Sequence, residues 1–409
     1  MAKLTQAAKA TKATKAAEKV RALHTQRTGA QPAHVATAPA TWVLIGENVD
    51  HFGGVTVVGM GDLRAAAAVS PREDDLISLH AESLHSPVAT GEATLAQLAE
   101  GVIEDPLMRR VVGLVQTMIT RQVLSRDTAG LDITVVSEIP VGAGLGALYA
   151  ADAAIALALA GGNAEVNDPP MRTRLAEVCS HAVGTYSSLA VLRARHTVAL
   201  RGTPEQVTVV DYADGSVAPA PHPGKLGVRI FSIAKAWGQP YGEQKERIAT
   251  WRGFIDDAVG NFGVASLREL PDNVDRVVEW VEARRDAGDE TAPEPQTARR
   301  WVQFCETETL RSLAAAKALR SRRGNELFTL LNSPTEANDL ETPDALVKLA
   351  LQRGATAARP AAAGTSQAVI AFVPVQEADE FAKVFAKDFH VLEIRPGEAA
   401  RLEDQVDNA

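Results

Sequence analysis

APATWVLIGENVDHFGG, residues Ala38–Gly54, is the stretch of this chain that decides the fold. Its apolar run from Trp42 to Ile45 predicts a β-strand. An acidic turn follows, in which Glu47 and Asp50 precede two adjacent glycines. Carboxylates on a turn can accept paired hydrogen bonds from the hydroxyl groups of a polyol. A solvated turn is the alternative interpretation, and the rest of the chain has to decide between the two.

Composition places the chain among globular proteins. Its 409 residues are enough for two ordinary domains, and 46% hydrophobic with 23% charged residues is a globular balance. A net charge of −9 provides no basic field for nucleic acid or an anionic membrane, so neither is expected as a partner. Cys179 and Cys305 lack CxxC or metal-site spacing, which favours buried free thiols in a reducing compartment.

No segment predicts secretion or membrane insertion. Residues 1–20 repeat Ala, Lys and Thr without an apolar core, which predicts a solvated helix or frayed tail rather than a secretory signal. The most apolar run, Ala150–Ala160, is too short to span a bilayer and contains Asp152. We therefore expect a cytoplasmic protein.

Strand and helix patterns are mixed without regular alternation, which favours an α+β fold. Strand patterns lie at 42–45, 57–60, 64–70, 77–80, 131–136, 206–210, 226–232 and 368–374. Helical patterns lie at 95–124, in an alanine-rich segment that ends at Gly161-Gly162, and at 172–192, 240–284, 296–320, 343–353 and 377–385. The Asp-, Gly- and Pro-rich segment 211–224 is the best boundary candidate, so we expect domains at 21–212 and 213–400 behind the tail.

A second informative stretch, EIPVGAGLGALYAAD at 138–152, follows a predicted strand and opens a helix. Glycines let the backbone approach an anion closely, and the free N–H groups at the helix start face it. The stretch therefore predicts a phosphate-binding loop. Its candidate nucleotide-binding residues are Pro140, Gly142, Ala143, Gly144, Leu145 and Gly146.

Together the two stretches resemble the galactokinase family of the GHMP kinase superfamily. That family has a Pro-Gly-Arg turn, a short strand, Gly-Glu-His-x-Asp, and later a phosphate loop of the form P-x-G-x-G-L-S-S-S-A. The resemblance covers roughly residues 20–392. It implies a two-lobed α+β fold with the active-site cleft between the lobes, a sugar 1-kinase scaffold, and ATP with Mg²⁺ as cofactors.

The resemblance also implies a set of sugar-binding residues. The Glu and Asp of the family's acidic turn correspond to Glu47 and Asp50, and Asn48 offers an amide in place of the family's imidazole. A tyrosine of a later family segment corresponds to Tyr241 in QPYGEQK, although the segment's two arginines are replaced by Gln244 and Lys245. A small-molecule sugar and a nucleotide are therefore the expected ligands.

The groups that perform chemistry in the family are absent from their expected positions. Thr41 replaces the arginine, and no Lys or Arg occurs from Thr28 through Leu63. The serine run of the phosphate loop has become Gly146, Ala147 and Leu148, so the hydroxyl ligand of Mg²⁺ is missing and no metal site is predicted.

The family's catalytic base is also missing in every register. An ungapped register places Val183 at the metal-binding Glu, Arg195 at the catalytic Asp and His196 at the following Gln, whereas a shorter register places Ser187 at the base. No Asp occurs from 169 through 210 in either case. His196 is a conceivable substitute base, but no nearby carboxylate in the sequence orients it, which favours a structural histidine.

The family's last glycine loop corresponds to ARPAAAGTSQAVIAFVP at 358–374, in which only Gly364 matches a glycine. The leading hypothesis is accordingly a galactokinase-like protein without catalytic residues, which has lost efficient phosphotransfer and acts as a sugar- or nucleotide-binding or regulatory protein. The alternative is an active galactokinase with relocated catalytic groups, in which Arg195 clamps the phosphate. A third possibility is a scaffold whose pockets are filled by side chains.

Overall fold

The computed structural model describes residues 14–187, 189–238, 244–333, 340–362 and 365–403. The strands are β1 His34–Ile45, β2 Val55–Pro71, β3 Ile77–Ser83, β4 Ala89–Ala93, β5 Leu131–Ser137, β6 Gln206–Asp211, β7 Val217–Pro221, β8 Val228–Ala234, β9 Ala357–Pro360, β10 Val369–Pro374, β11 His390–Ile394 and β12 Arg401–Leu402. The helices are α1 Lys15–Thr28, α2 Leu95–Glu100, α3 Pro106–Thr120, α4 Ala147–Leu159, α5 Pro169–Tyr186, α6 Arg193–Arg201, α7 Lys245–Phe262, α8 Asn273–Asp286, α9 Pro295–Arg320, α10 Gly324–Asn332, α11 Asp344–Gln352 and α12 Ala378–Phe385. None of these helices is both long and apolar enough to cross a membrane.

Two sheets organise the two lobes. The larger sheet runs β12-β1-β2-β5-β3-β4, with β6 paired to β2 and β7 to β6. Strand β2 is long enough to pair with β6 through its first part and with β5 through its second. The smaller sheet runs β11-β8-β10-β9 and is entirely antiparallel. The predicted two-lobed α+β fold is therefore confirmed.

Several predicted elements differ from the observed ones in their limits. The strand patterns at 57–60 and 64–70 are parts of the single strand β2. The helical pattern at 95–124 is divided into α2 and α3, because Asp105 and Pro106 start a new helix. Helices α6 and α10 were not predicted. Strand β7, beyond the predicted boundary at 212/213, still belongs to the larger sheet, and the domain division stays a prediction.

The predicted tail is wrong for its last residues. Helix α1 begins at Lys15, and the Thr14 hydroxyl accepts a hydrogen bond from the Ala17 N–H at 3.2 Å. Ala17 and Val20 are buried in a cluster that includes Ala66 and Val136 of the larger sheet. Small side chains let the helix lie close to the sheet, so residues 15–20 are part of the fold; residues 1–13 lie outside the described ranges.

Trp42, on the strand that decides the fold, is fully buried. It lies opposite Gly59 of β2, where an added Cβ would come within 2.4 Å of the indole ring. His222 meets the indole edge-on at a ring distance of 5.8 Å, and Phe372 of the smaller sheet lies at 6.1 Å. Both predicted free thiols, of Cys179 and Cys305, are confirmed as buried.

The burial of His222 makes stability depend on pH. The Nδ1 atom of His222 accepts a hydrogen bond from the Gly224 N–H at 3.1 Å, so this nitrogen carries no proton in the folded protein. Burial, with a smaller contribution from Lys225, lowers the pKa of His222 to about 4. An unfolded histidine titrates near 6.5, so the unfolded chain holds the additional proton between these values and stability falls as the pH is lowered through them.

We expect His222→Asn to remove part of this dependence, because Asn retains an acceptor for the Gly224 N–H but does not titrate. Between about pH 7.5 and 4.5, the wild type should lose roughly 2–3 kcal/mol more unfolding free energy than the variant. Urea denaturation at both pH values measures this difference. Equal losses in the two proteins would contradict it.

Candidate functional site

Four chain segments meet where the two lobes join: β1, the acidic turn after it, the phosphate loop, and the loop after β9. Arg195 of α6 lies at their centre. Its Nη1 donates to the Thr41 carbonyl oxygen, and its Nη2 donates to the carbonyl oxygens of Gly144 at 3.1 Å and Ala361 at 3.3 Å. Only 2% of its side chain is exposed. One guanidinium therefore connects the second half of β1, the phosphate loop and the loop after β9.

Arg195 also pairs with the first carboxylate of the acidic turn. Its Nη2 lies 3.7 Å from Glu47 Oε1. Burial lowers the pKa of Arg195, and the charge of Glu47 partly opposes this effect. The Thr41 hydroxyl is 3.4 Å from Nη1. A positive charge thus lies beside Thr41, which resembles the position of the family's arginine, but it comes from α6 instead of β1.

The other two residues of the acidic turn contact a second arginine. Arg252 of α7 approaches Asn48 Oδ1 at 3.3 Å and Asp50 Oδ1 at 3.1 Å, and it also donates to the Val191 carbonyl oxygen at 2.8 Å. Asn48 has a positive φ of 59°, which Asn tolerates better than most residues. The structure therefore brings three predicted sugar-binding residues, Glu47, Asn48 and Asp50, together. The fourth, Tyr241, lies outside the described residues.

The cavity at this turn is small. It has a volume of about 20 Å³, which is enough for about one water molecule and far below the volume of a hexose. Three buried polar atoms that border it lack a hydrogen-bond partner among the described residues: Asp50 Oδ2, Arg195 Nε and Arg252 Nε. In this conformation the turn is occupied by the protein's own arginines.

Glu308 of α9 holds the start of the acidic turn in place through hydrogen bonds. Its Oε1 accepts from the Gly46 N–H at 3.2 Å and from Arg359 at 2.7 Å, and its Oε2 accepts from Arg311 at 3.0 Å. It is 2% exposed. Because Arg359 belongs to β9, this carboxylate ties the acidic turn to the smaller sheet. Sequence reasoning missed both Glu308 and Arg252, since neither lies in a motif and each contacts the turn from more than two hundred residues away.

The predicted phosphate loop has the expected backbone. Gly142, Gly144 and Gly146 all have positive φ, and α4 begins directly afterwards with no side-chain cap. In this structure, however, other residues of the protein lie directly against these glycines. A Cβ on Gly144 would lie 2.2 Å from the Ala361 Cβ, and one on Gly146 would lie 2.7 Å from Thr41 Oγ1. Pro140 borders the same loop cavity as these glycines.

The remaining loop residues are held by backbone contacts. The Ala143 carbonyl accepts from the Ser232 hydroxyl at 2.7 Å, and the Leu145 carbonyl accepts from the Thr41 N–H at 3.0 Å. After the loop, Ser366 donates to the Gly142 carbonyl at 3.0 Å. The predicted glycine match, Gly364, lies outside the described residues. The loop is thus fastened to both lobes.

Two cavities border this loop. The one above the glycines has a volume of about 70 Å³, and an adjoining, mainly apolar one has about 310 Å³. Leu148 borders both, at a position where the family has a serine. Backbone N–H groups at the α4 start fit an anion. The side chains of Gly146, Ala147 and Leu148 do not fit Mg²⁺, because they contain no oxygen ligand.

His196 lies away from the cleft centre in a buried network. Its Nε2 is 3.0 Å from Asp152 Oδ2 and its Nδ1 is 3.0 Å from the Ser180 hydroxyl. No carboxylate close in sequence was expected to orient His196, and the one that does, Asp152 of α4, comes from 44 positions earlier in the chain. Burial lowers the pKa of His196 even though Asp152 opposes this effect. A neutral structural histidine fits this environment.

The other register candidates are also buried in structural contacts. Ser187 accepts a hydrogen bond from Arg110 at 2.8 Å, and Arg110 in turn holds Asp152 through two hydrogen bonds of 2.9 and 2.5 Å. Val183 is buried on α5. Of the register candidates, only Arg195 reaches the point where the four segments meet.

The comparisons with known proteins agree with this geometry. Residues 22–71 match a family model described as the galactokinase galactose-binding signature. A Streptomyces coelicolor galactokinase is 25% identical over 372 residues, which cover 88% of this chain and 90% of that protein.

Solved structures share the fold. The crystal structure of Lactococcus lactis galactokinase in complex with galactose has a TM-score of 0.73 at 18% identity, covering 94% of this chain and 99% of that one. The Methanococcus jannaschii mevalonate kinase has a TM-score of 0.51 at 12% identity, covering 89% and 98%. The chain therefore has the two-lobed α+β fold of these kinases. Within that fold, residues 22–71 match the galactokinase galactose-binding signature, and the chain as a whole is similar in sequence to a galactokinase.

Proposed function

We propose that this protein is a non-catalytic member of the galactokinase family, which binds a small molecule in its cleft and acts as a regulator. The observation that carries the proposal is the position of Arg195. A buried guanidinium fills the point where β1, the acidic turn and the phosphate loop meet, and its donors are directed at the protein's own carbonyl oxygens.

The rate contributions of the missing catalytic groups support a large loss of activity. General-base assistance typically contributes about 10²–10⁴ in rate, and a cation on the transferring phosphoryl about 10³–10⁵. The carboxylate next to the cleft centre, Glu47, is paired with Arg195, and Asp50 is paired with Arg252. Losing both contributions, even without full additivity, leaves no measurable turnover.

The nucleotide side of the cleft has more room for a ligand than the sugar side. The apolar cavity of about 310 Å³ falls at the lower end of the range for small-molecule sites, whereas the cavity at the acidic turn holds about one water molecule. We therefore propose a nucleotide as the ligand of this conformation, with a sugar admitted only if Arg252 moves. Two free thiols support a cytoplasmic location.

The second candidate is an active galactokinase with relocated groups. Arg195 places a cation beside Thr41 and a carboxylate, Glu47, lies 3.7 Å from it. This pair provides a cation and a carboxylate at the centre of the cleft: Arg195 lies where the ungapped register has the family's catalytic Asp, and Glu47 keeps the position of the family's acidic-turn Glu. The pair is the specific observation that favours activity.

An assay of the purified protein with galactose, ATP and Mg²⁺ separates the two candidates. We expect no ADP or galactose 1-phosphate above a blank without protein. A kcat of about 1 s⁻¹ or more, which is ordinary for kinases, would overturn the non-catalytic proposal. Thermal-shift titrations with ATP and with galactose then separate a binder from a filled scaffold, because a ligand that binds the native state raises the Tm.

A further inference from the structure

A groove on the outer side of α6 lies next to the site described above and shares Arg193 and Tyr212 with the lining of the acidic-turn cavity. Helices α5 and α6 form its walls, and the turn between β6 and β7 closes one end. Its volume is about 530 Å³, within the range of small-molecule sites. Ala176 and Val210 contribute an apolar floor. The groove is therefore large enough for a metabolite of modest size.

Three arginines border this groove: Arg121 at the end of α3, and Arg193 and Arg201 on α6. Among the described residues, none of the three lies within 4 Å of a carboxylate oxygen. The cleft arginines Arg195 and Arg252, by contrast, each lie within 4 Å of a carboxylate oxygen. Arg193 instead lies over the ring of Tyr212, with its guanidinium carbon 5.5 Å from the ring centre. In a chain of net charge −9, three arginines without carboxylate partners around one concavity form a local positive field.

The carboxylates in the groove lining neutralise little of this positive field. Asp211 is held by Arg268 at 2.7 Å, so its charge is already balanced. Glu177 is the other carboxylate of the lining. The hydroxyl of Thr197 lies between Arg193 and Arg201 on the same face of α6, since the three are four residues apart. The lining thus combines guanidinium donors with a small apolar floor, while the Thr197 hydroxyl donates to the Arg193 carbonyl oxygen at 3.3 Å.

We propose that this groove binds a small phosphorylated metabolite, with the phosphate on the arginines of α6. Guanidinium groups recognise phosphate through paired, charge-assisted hydrogen bonds, which a neutral sugar cannot form. The limited volume favours a small ligand over an extended phosphopeptide. The groove adjoins the cleft, since Arg193 and Tyr212 also border the small cavity at the acidic turn, but it opens on the other side of α6 from Arg195, which is buried in the cleft.

The test uses the full chain and isothermal titration calorimetry at low ionic strength, with pyrophosphate, a hexose monophosphate and galactose as probes. We expect the two phosphate compounds to bind and the affinity to fall at least about tenfold in Arg193→Gln/Arg201→Gln, because two charge-assisted contacts are lost. Arg126→Gln/Arg322→Gln is the matched control, since it removes the same charge from two exposed arginines outside the groove. The control should bind as the wild type does.

The outcomes are decisive in both directions. No binding of either phosphate compound, or equal affinity in the wild type and the groove variant, would overturn the proposal. A phosphoserine peptide that binds more tightly than the hexose monophosphate would overturn the small-ligand part. Galactose lacks phosphate, so galactose binding that is unchanged in the groove variant reports on the cleft, and the proposed function can fail without affecting the result for the phosphate compounds.

Discussion

Replacing Asp152 by alanine is expected to lower the free energy of unfolding by about 3–5 kcal/mol, because the change leaves a buried charge without its partner. Arg110 and Asp152 form two hydrogen bonds, and their side chains are only 2% and 4% exposed. Burial alone would raise the pKa of Asp152, but Arg110 and His196 outweigh it and hold that pKa below its usual value. Chemical denaturation at neutral pH measures the loss.

Two controls separate this effect from a general cost of removing carboxylates. Glu326→Ala breaks the exposed pair with Arg323 and should cost less than about 1 kcal/mol. The double change Arg110→Met/Asp152→Leu should cost less than Asp152→Ala alone, because no unpaired charge remains. If Asp152→Ala cost no more stability than Glu326→Ala, the buried network of Arg110, Asp152 and His196 would have no structural role.

The fold could be predicted from the sequence because its signals are local. The apolar run after Thr41 is a strand, the glycines at 142–146 form a turn, and the adjacent alanine-rich segment is a helix; each depends on neighbouring residues only. The predicted ends of helices and strands were less accurate where tertiary contacts decide them. Residues 15–20 look like a solvated tail, but their small side chains lie against the larger sheet.

The candidate site was predictable only in part. The motif register drew attention to Arg195, but its contacts with Thr41 and Ala361 span more than 150 residues and have no local signature. Arg252 and Glu308 lie on helices with no motif, so nothing in the sequence marks them as partners of the acidic turn. Long-range ion pairs of this kind depend on how the lobes pack, and the sequence alone does not show it.

Arg195→Met is expected to cost about 2–4 kcal/mol of stability, because several buried acceptors lose their donor at once. The carbonyl oxygens of Gly144 and Ala361 and the carboxylate of Glu47 would all be affected. Arg195→Lys should cost less, since it retains the charge beside Glu47 but not the planar fork that reaches several carbonyls. Equilibrium denaturation of both variants measures the difference.

A double-mutant cycle with Glu47→Gln tests the ion pair itself. We expect the combined loss to differ from the sum of the single losses by about 0.5 kcal/mol or more, because the two groups lie 3.7 Å apart in a buried setting. If Arg195→Met costs less than about 1 kcal/mol, the guanidinium does not hold the four segments together, and the main support for a non-catalytic cleft is lost. If the wild type does turn over and Arg195→Met reduces kcat by about 10³ or more, the same arginine acts as the relocated phosphate clamp instead.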